Sequence, residues 1–484
     1  MRRARVEATL VRVTQALDQL AKRQNLLEDI GWPREAEERF FAGGASALPE
    51  VTYTVDRAAL DGENAALGAV VAGIDGEGPV VVWLRAAVQS VIDRNRMIAA
   101  AGTRAFGDLS REIYGGARST FFDLSLRNVD LADHLLGRLE VHGWDKASDP
   151  DVEPLDARAL KEELDRRVAK HRPAIKLEVV LDDRCASKAI AGMSKVRVRS
   201  DAKFQPWEAD GLFCHEVETH AFTARNGAEQ RHAPFLRSGG PRSTPTQEGL
   251  AVFAELYNRA LAVSRLERLA TRVKLVAMAE DGASFLDLYR ALLERGSSPR
   301  EAYLDAARVC RGGLVGGGAP FTKDASYLAG LLHVYAFLAA FVRGGFRDEA
   351  ELLVVGRIAL DDVEAMIDLR ELGLLSRPKH RPRWLKRWDT LLPYFAFTSF
   401  LSEVEVAARP STEAMDRLVE RAMDAYRRWQ DAVGAVERLT SDLGNPCGFR
   451  RCRSLFLARE ENEVPDLERE CSLRHRGGID VRLI

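Results

Sequence analysis

Hydrophobic positions along the chain recur mostly with a helical period. Val6, Leu10, Val13, Leu17 and Leu20 fall on one stripe and predict a helix over residues 4–28. GGASALP (43–49) interrupts the pattern, and VTYTV (51–55) alternates as a short strand would. A long helical pattern then runs from about Val80 to Ile113 and is closed by Gly115 and Gly116. Further helices are expected over 126–139 and 156–170. IKLEVVL (175–181) and KVRVR (195–199) alternate and are rich in Val, which predicts two strands. Beyond them the pattern is almost wholly helical, over 206–222, 245–263, 266–279, 283–294, 299–310, 324–342, 358–372 and 412–440. From Gly444 onward the periodicity is lost and arginines are frequent, so the end reads as a poorly packed tail. The expectation is an α+β fold, mostly helical. A helical N-terminal region (1–145) precedes the main domain (146–440) and an irregular basic tail (441–484).

Composition narrows the class. With 484 residues, 46% apolar and 29% charged, the chain can bury a sizeable core in two or three domains. A net charge of −2 argues against a general polyanion binder, so no nucleic-acid partner is expected. Six scattered cysteines fit a reducing compartment, and a cytoplasmic location is expected. The opening MRRARVEATLVRV lacks the apolar stretch and cleavage site of a signal peptide. The most apolar run, Tyr327 to Val342, contains His333 and reads as a buried helix, so no membrane span is expected.

The strongest chemical signal is Cys214-His215-Glu216-Val217-Glu218-Thr219-His220, which contains H-E-x-x-x-H. Two imidazoles suit zinc, and a carboxylate beside the first can serve as general base. The spacing is unusual. On an α-helix, residues i and i+5 diverge by about 140°. A π-helical turn, with about 4.4 residues per turn, brings them within roughly 50°. The sequence therefore predicts a widened helix over 215–220, or a helix that ends at His220.

A catalytic zinc site needs a third protein ligand and an open fourth position. Glu248, in Thr244-Pro245-Thr246-Gln247-Glu248-Gly249-Leu250-Ala251, is the candidate. Thr244 and Pro245 suit a helix start, placing Glu248 in its first turn, where position alone favours an ordinary solvated acid. Gly249 and Ala251 let this helix approach another backbone closely.

These residues resemble a known family. HEVETH, then Asn226-Gly227 and Gln230, then TQEGLA, is similar to the bacterial flavohaemoglobin expression-modulating QEGLA motif proteins. That family also includes the microtubule-associated tyrosine carboxypeptidases of animals. The resemblance continues in Arg311-Gly312-Gly313 and in Ala319-Pro320-Phe321-Thr322-Lys323-Asp324, followed by Tyr327-Leu328 and Gly330. It spans roughly 45 to 440. It implies a zincin-like metallopeptidase domain with a small sheet beside the metal helix. His215, His220 and Glu248 would hold one zinc ion, Glu216 would act as catalytic acid/base, and a peptide or protein C-terminus would be the substrate.

The remaining candidates follow from the chemistry. Tyr327 could donate to an oxyanion, although Tyr is far more often a core residue. A carboxypeptidase must hold a terminal carboxylate, for which Arg or Lys is suited. Arg311 and Lys323 flank the LVGGGAPFT loop (314–322), which reads as a substrate cover or a flexible connection. Arg197 and Arg199, on the strand before the metal helix, come next. Glu255 shares a helix face with Glu248 and could orient a ligand histidine or form a buried ion pair. Cys214 reads as core, Glu218 as a solvated acid or one supporting a ligand, and His232 and His333 as structural. Cys447, Cys452, Cys471 and His475 only loosely resemble a metal set. Two rival functions stay open: an amidase acting on a small or cell-wall-derived substrate, and a regulatory protein holding a structural metal.

Overall fold

The computed structural model describes residues 2–21, 26–121, 126–141, 153–183, 185 and 187–406. Met1–Phe395 forms one compact unit, and Ala396–Ile484 is assigned to a second. The helix expected over 412–440 and the tail from 441 lie outside the described residues.

Helices dominate. The principal ones before the sheet are α1 (Arg2–Ala21), α2 (Arg34–Ala42), α3 (Arg57–Ala72), α4 (Pro79–Ala99), α5 (Arg104–Tyr114), α6 (Asn128–Val141) and α7 (Ala157–Lys170). Asp56 and Asp156 cap α3 and α7, each accepting the backbone N–H three residues on. Next come β1 (Glu178–Asp182), β2 (Ala189–Ala191) and β3 (Lys195–Arg199), in the spatial order β1-β3-β2, with β1 parallel and β2 antiparallel to β3. The chain then returns to helix: α8 (Glu208–Leu212), a π-helical segment (Phe213–Ala221) and α9 (Phe222–Ala228), followed by α10 (Thr244–Tyr257), α11 (Val263–Glu280), α12 (Phe285–Glu294), α13 (Pro299–Cys310), α14 (Ser326–Arg343), α15 (Val363–Glu371) and α16 (Trp388–Val406). The architecture is thus α+β, mostly helical with one small sheet.

Three expectations need correction. VTYTV forms no strand; it is an extended strap whose Tyr53 hydroxyl accepts N–H groups from Trp32 and Gly312. The helix expected over 80–113 is two, because Gly102 takes φ of +80° between α4 and α5. The LVGGGAPFT loop is no flexible connection. Gly318 donates to the Ala279 carbonyl, Phe285 donates to the Val315 carbonyl and Phe321 donates to the Val309 carbonyl, and Ala319 is fully buried.

The main core joins distant parts of the sequence. Leu10 and Val13 of α1 and Trp83, Leu84 and Val88 of α4 share one cluster with Cys214, Phe253, Val334, Leu338 and Trp384. A second core gathers Phe40 with residues of α11–α14, and a third packs the sheet and α7 against Phe213, Val217 and Phe222. The segment Thr322–Val342 is long and apolar enough, by length and composition, to cross a bilayer. In this fold it packs against α10, with Val334, Leu338 and Val342 in the main core.

The crossing of α10 and α14 is unusually close. A Cβ at Gly249 would meet the Gly330 carbonyl oxygen at 2.2 Å, and one at Gly330 would meet the Pro245 oxygen at 2.1 Å. Two glycines facing each other let the backbones touch, which seats Glu248 and its neighbours in α10 deep in the molecule.

Candidate metal centre

The H-E-x-x-x-H residues lie inside the π-helical segment, so the widened winding expected from their spacing is present. It turns both imidazoles to one side, with ring centroids 4.8 Å apart and planes at 80°. Thr219 supports the wide turn by donating its hydroxyl to the Cys214 carbonyl five residues back. Opposite them, α10 presents Glu248 from its second turn rather than the first turn expected, because the helix already begins at Thr244; Glu248 Oε2 lies 3.5 Å from Nε2 of both His215 and His220. The ligand atoms of these three side chains all fall within 4.8 Å of one another.

Those distances fit a metal better than a hydrogen-bonded cluster. A charge-assisted imidazole–carboxylate bond closes to about 2.8 Å. Donors bound at about 2.1 Å around a tetrahedral ion stand about 3.4 Å from each other. Glu248 Oε2 is moreover buried with no hydrogen-bond partner. On the other ring nitrogen of His215, Nδ1–H donates to Glu255 Oε1 at 2.6 Å, which fixes the tautomer and turns the Nε2 lone pair toward Glu248. Glu255 is itself paired with Arg265 at 3.5 Å. The donor set, its spacing and its supporting acid all fit a divalent cation of the zinc type.

The electrostatics favour positive charge at this point. Burial opposes a charged His215, but Glu248 and Glu255 outweigh it and raise its pKa to about 10. Burial likewise opposes ionisation of Glu248, yet Lys323 and the two imidazoles hold its carboxyl well below the usual range. Lys323 donates to Glu248 Oε1 at 2.8 Å, leaving Oε2 to face the histidines.

Glu216 stands on the sheet side of the same helix. It is buried, and its Oε2 accepts the backbone N–H of Ala191 at 2.7 Å. Ala191 belongs to β2, a three-residue strand too short and too Ala-rich to show in the hydrophobic pattern. That edge strand is therefore what orients the acid next to His215.

Tyr327 is buried, with the Lys323 ammonium 5.1 Å and the Arg265 guanidinium 6.0 Å from its ring centre. Arg311 is buried over the Phe321 ring at 5.4 Å. Arg197 pairs with Asp182 and Arg199 with Asp201. Cys214 packs in the main core, and burial pushes its thiol up to about 12. Glu218 is not solvated: it is 2% exposed and bound by Arg383 Nε at 2.9 Å, while Arg383 also donates to Cys214 Sγ. His232 pairs with Glu7 and His333 packs on Phe121. Cys447, Cys452, Cys471 and His475 lie outside the described residues.

The motif residues Asn226 and Gln230 have structural tasks. Asn226 donates to the Val354 and His380 carbonyls and accepts the His380 N–H; Gln230 does the same with Val355 and Ser376. Gln247 accepts the Thr223 hydroxyl and so ties α10 to α9.

A sequence model of the microtubule-associated tyrosine carboxypeptidases matches residues 38–403, most of the chain and the whole of this centre. The chain belongs to that family. No match is found among curated proteins. Membership in the microtubule-associated tyrosine carboxypeptidase family carries a metallopeptidase relationship at the level of the family.

Proposed function

We propose that this protein is a zinc-dependent carboxypeptidase that releases a C-terminal residue from a peptide or protein. The observation that carries this reading is the convergence of His215 Nε2, His220 Nε2 and a Glu248 oxygen within 4.8 Å, with the Glu216 carboxyl on the same helix. The π-helical segment with a β-strand beside it is the counterpart of the helix and edge strand of zincin-like sites.

His215, His220 and Glu248 would hold the ion, with Glu255 and Lys323 fixing the orientation of the first and last. Bound there, the ion would supply Lewis acidity, polarising the scissile carbonyl and acidifying the attacking water. Glu216 receives that water's proton on its carboxylate and passes it to the leaving amine. The Ala191 N–H holds the carboxylate in place during both transfers. Tyr327 is the candidate to donate to the oxyanion, and the edge strand to guide the substrate backbone.

A panel of peptides with free and amidated C-termini, incubated with zinc-loaded protein and read by mass spectrometry, tests the proposal. Release of single C-terminal residues from free acids, lost on amidation, is the expected result. Cleavage indifferent to amidation points to an amidase or endopeptidase instead. No cleavage with metal bound leaves a regulatory protein with a structural ion.

A further inference from the structure

Four cations of this region are already committed. Lys323 holds Glu248, Arg265 holds Glu255, Arg272 holds Asp305 at 2.9 Å, and Arg308 grips both oxygens of Asp324 at 2.7 and 2.8 Å. Among the described residues, Arg268, Arg311 and Arg357 have no carboxylate partner, and the Nε of each is buried without a hydrogen bond. Uncompensated guanidinium groups at such depth are costly, and a site that binds an anion is one reason to keep them.

The three differ in what they face. Arg311 lies on the Phe321 ring beside Arg308 and Asp324. Arg268 lies beside Arg272 and Arg265. Arg357 sits on a segment fastened to the metal centre. Its own N–H donates to the Leu236 carbonyl at 2.8 Å, its Cβ abuts Gly239, and Leu360 N–H donates to Thr246 Oγ1 at 3.0 Å, two residues before Glu248. Burial lowers the affinity of Arg357 for its proton, and the carboxylates that counter this are Glu248 and Glu216, the two acids of the centre.

We infer that Arg357 is the residue that receives the terminal carboxylate of the substrate, making it the determinant of C-terminal specificity. The inference rests on the carboxypeptidase reading above and adds a residue to it. Arg357 stands near the acids yet is claimed by neither, and a guanidinium offers a planar fork matched to a carboxylate. A carboxylate bound there neutralises it and places the preceding carbonyl toward the centre.

The test has two arms. In the first, an N-acyl amino acid and its amide are titrated calorimetrically into metal-free wild type, Arg357→Gln, Arg357→Lys and Arg311→Gln. Wild type and Arg311→Gln are expected to bind the acid and not the amide. Arg357→Gln is expected to lose roughly ten- to hundredfold in affinity, the size of a charge-assisted hydrogen bond, with partial rescue by lysine. In the second arm, zinc-loaded Arg357→Gln shows a raised KM for free-acid peptides and a collapsed preference over amidated ones. Equal losses of kcat on acid and amide would place Arg357 at the scissile carbonyl and overturn the inference. Undiminished acid binding by a folded Arg357→Gln overturns it as well. If wild type cleaves nothing, the hydrolase reading fails, and the titration still decides whether Arg357 binds a carboxylate.

Discussion

Glu216 and Glu248 are both buried acids, and their surroundings assign them different work. Glu248 is pinned by Lys323 on one oxygen and faces two imidazoles with the other. Glu216 accepts a strand N–H, its one hydrogen bond among the described residues. Glu216→Gln keeps that contact and the shape while removing the basic oxygen. Peptide hydrolysis should fall at least about hundredfold with metal content unchanged, as measured by residue release and elemental analysis of the same sample. Glu255→Gln should act differently: it weakens the support behind His215 and should lower metal affinity about 10–100-fold in a chelator competition. The two histidines and both acids were legible in the sequence because their chemistry is local to short motifs. Arg357 was not, since nothing in VGRIA marks it, and its meaning comes from a segment brought in from elsewhere. Glu218 misled for the opposite reason. Its partner Arg383 lies 165 residues away, so an acid that reads as solvated is in fact sealed.

At the scale of elements, the decisive contact is the crossing of α10 and α14. Gly249→Ala pushes a methyl into the Gly330 carbonyl, 2.2 Å from where it would sit. The expected loss is about 1–3 kcal/mol in denaturant unfolding, as for other overpacked sites, and Gly330→Ala should cost as much. The helices that were legible carry strong apolar stripes or clear caps, such as Ser284 and Ser298, whose capping boxes open α12 and α13. Those that escaped notice are α2, the Ala-rich α3 and α16, where the stripe is weak or interrupted by Pro393. β2, Ala-Ile-Ala, was invisible because three residues are too few to show alternation. The π winding, by contrast, was readable from ligand spacing alone, since no α-helix aligns i with i+5.

For the whole molecule, acid stability is expected to depend on a pair of histidines that pack on Phe222, just past the metal helix. His171, His380 and Phe222 pack as a trio of rings, with the two histidine centroids 5.6 Å apart, and His171 Nε2 and His380 Nδ1 are buried without hydrogen bonds. Burial, with Lys386, His380 and Arg172 adding to it, lowers the His171 pKa to about 4, and burial lowers His380 too. Between an unfolded value near 6.5 and about 4, the unfolded chain binds protons that the folded one refuses. This stabilising contribution is full above about pH 6.5 and is lost as pH falls toward 4. Thermal midpoints measured from pH 7.5 to 4.5 should fall more steeply for wild type than for His171→Phe.

The wide turn at 213–221 has a further consequence for how such a protein can change. A helix is a screw, and dropping one residue from the wide part would rotate everything behind it by about 100°. Asn226 and Gln230 would then swing away from the 354–355 and 376–380 backbone that they clasp. Moving to the commoner four-residue histidine interval would bring the rings back onto a narrow helix only by unlatching that far clasp. The longer interval is therefore held in place from downstream, and no single substitution at the histidines themselves can exchange one arrangement for the other.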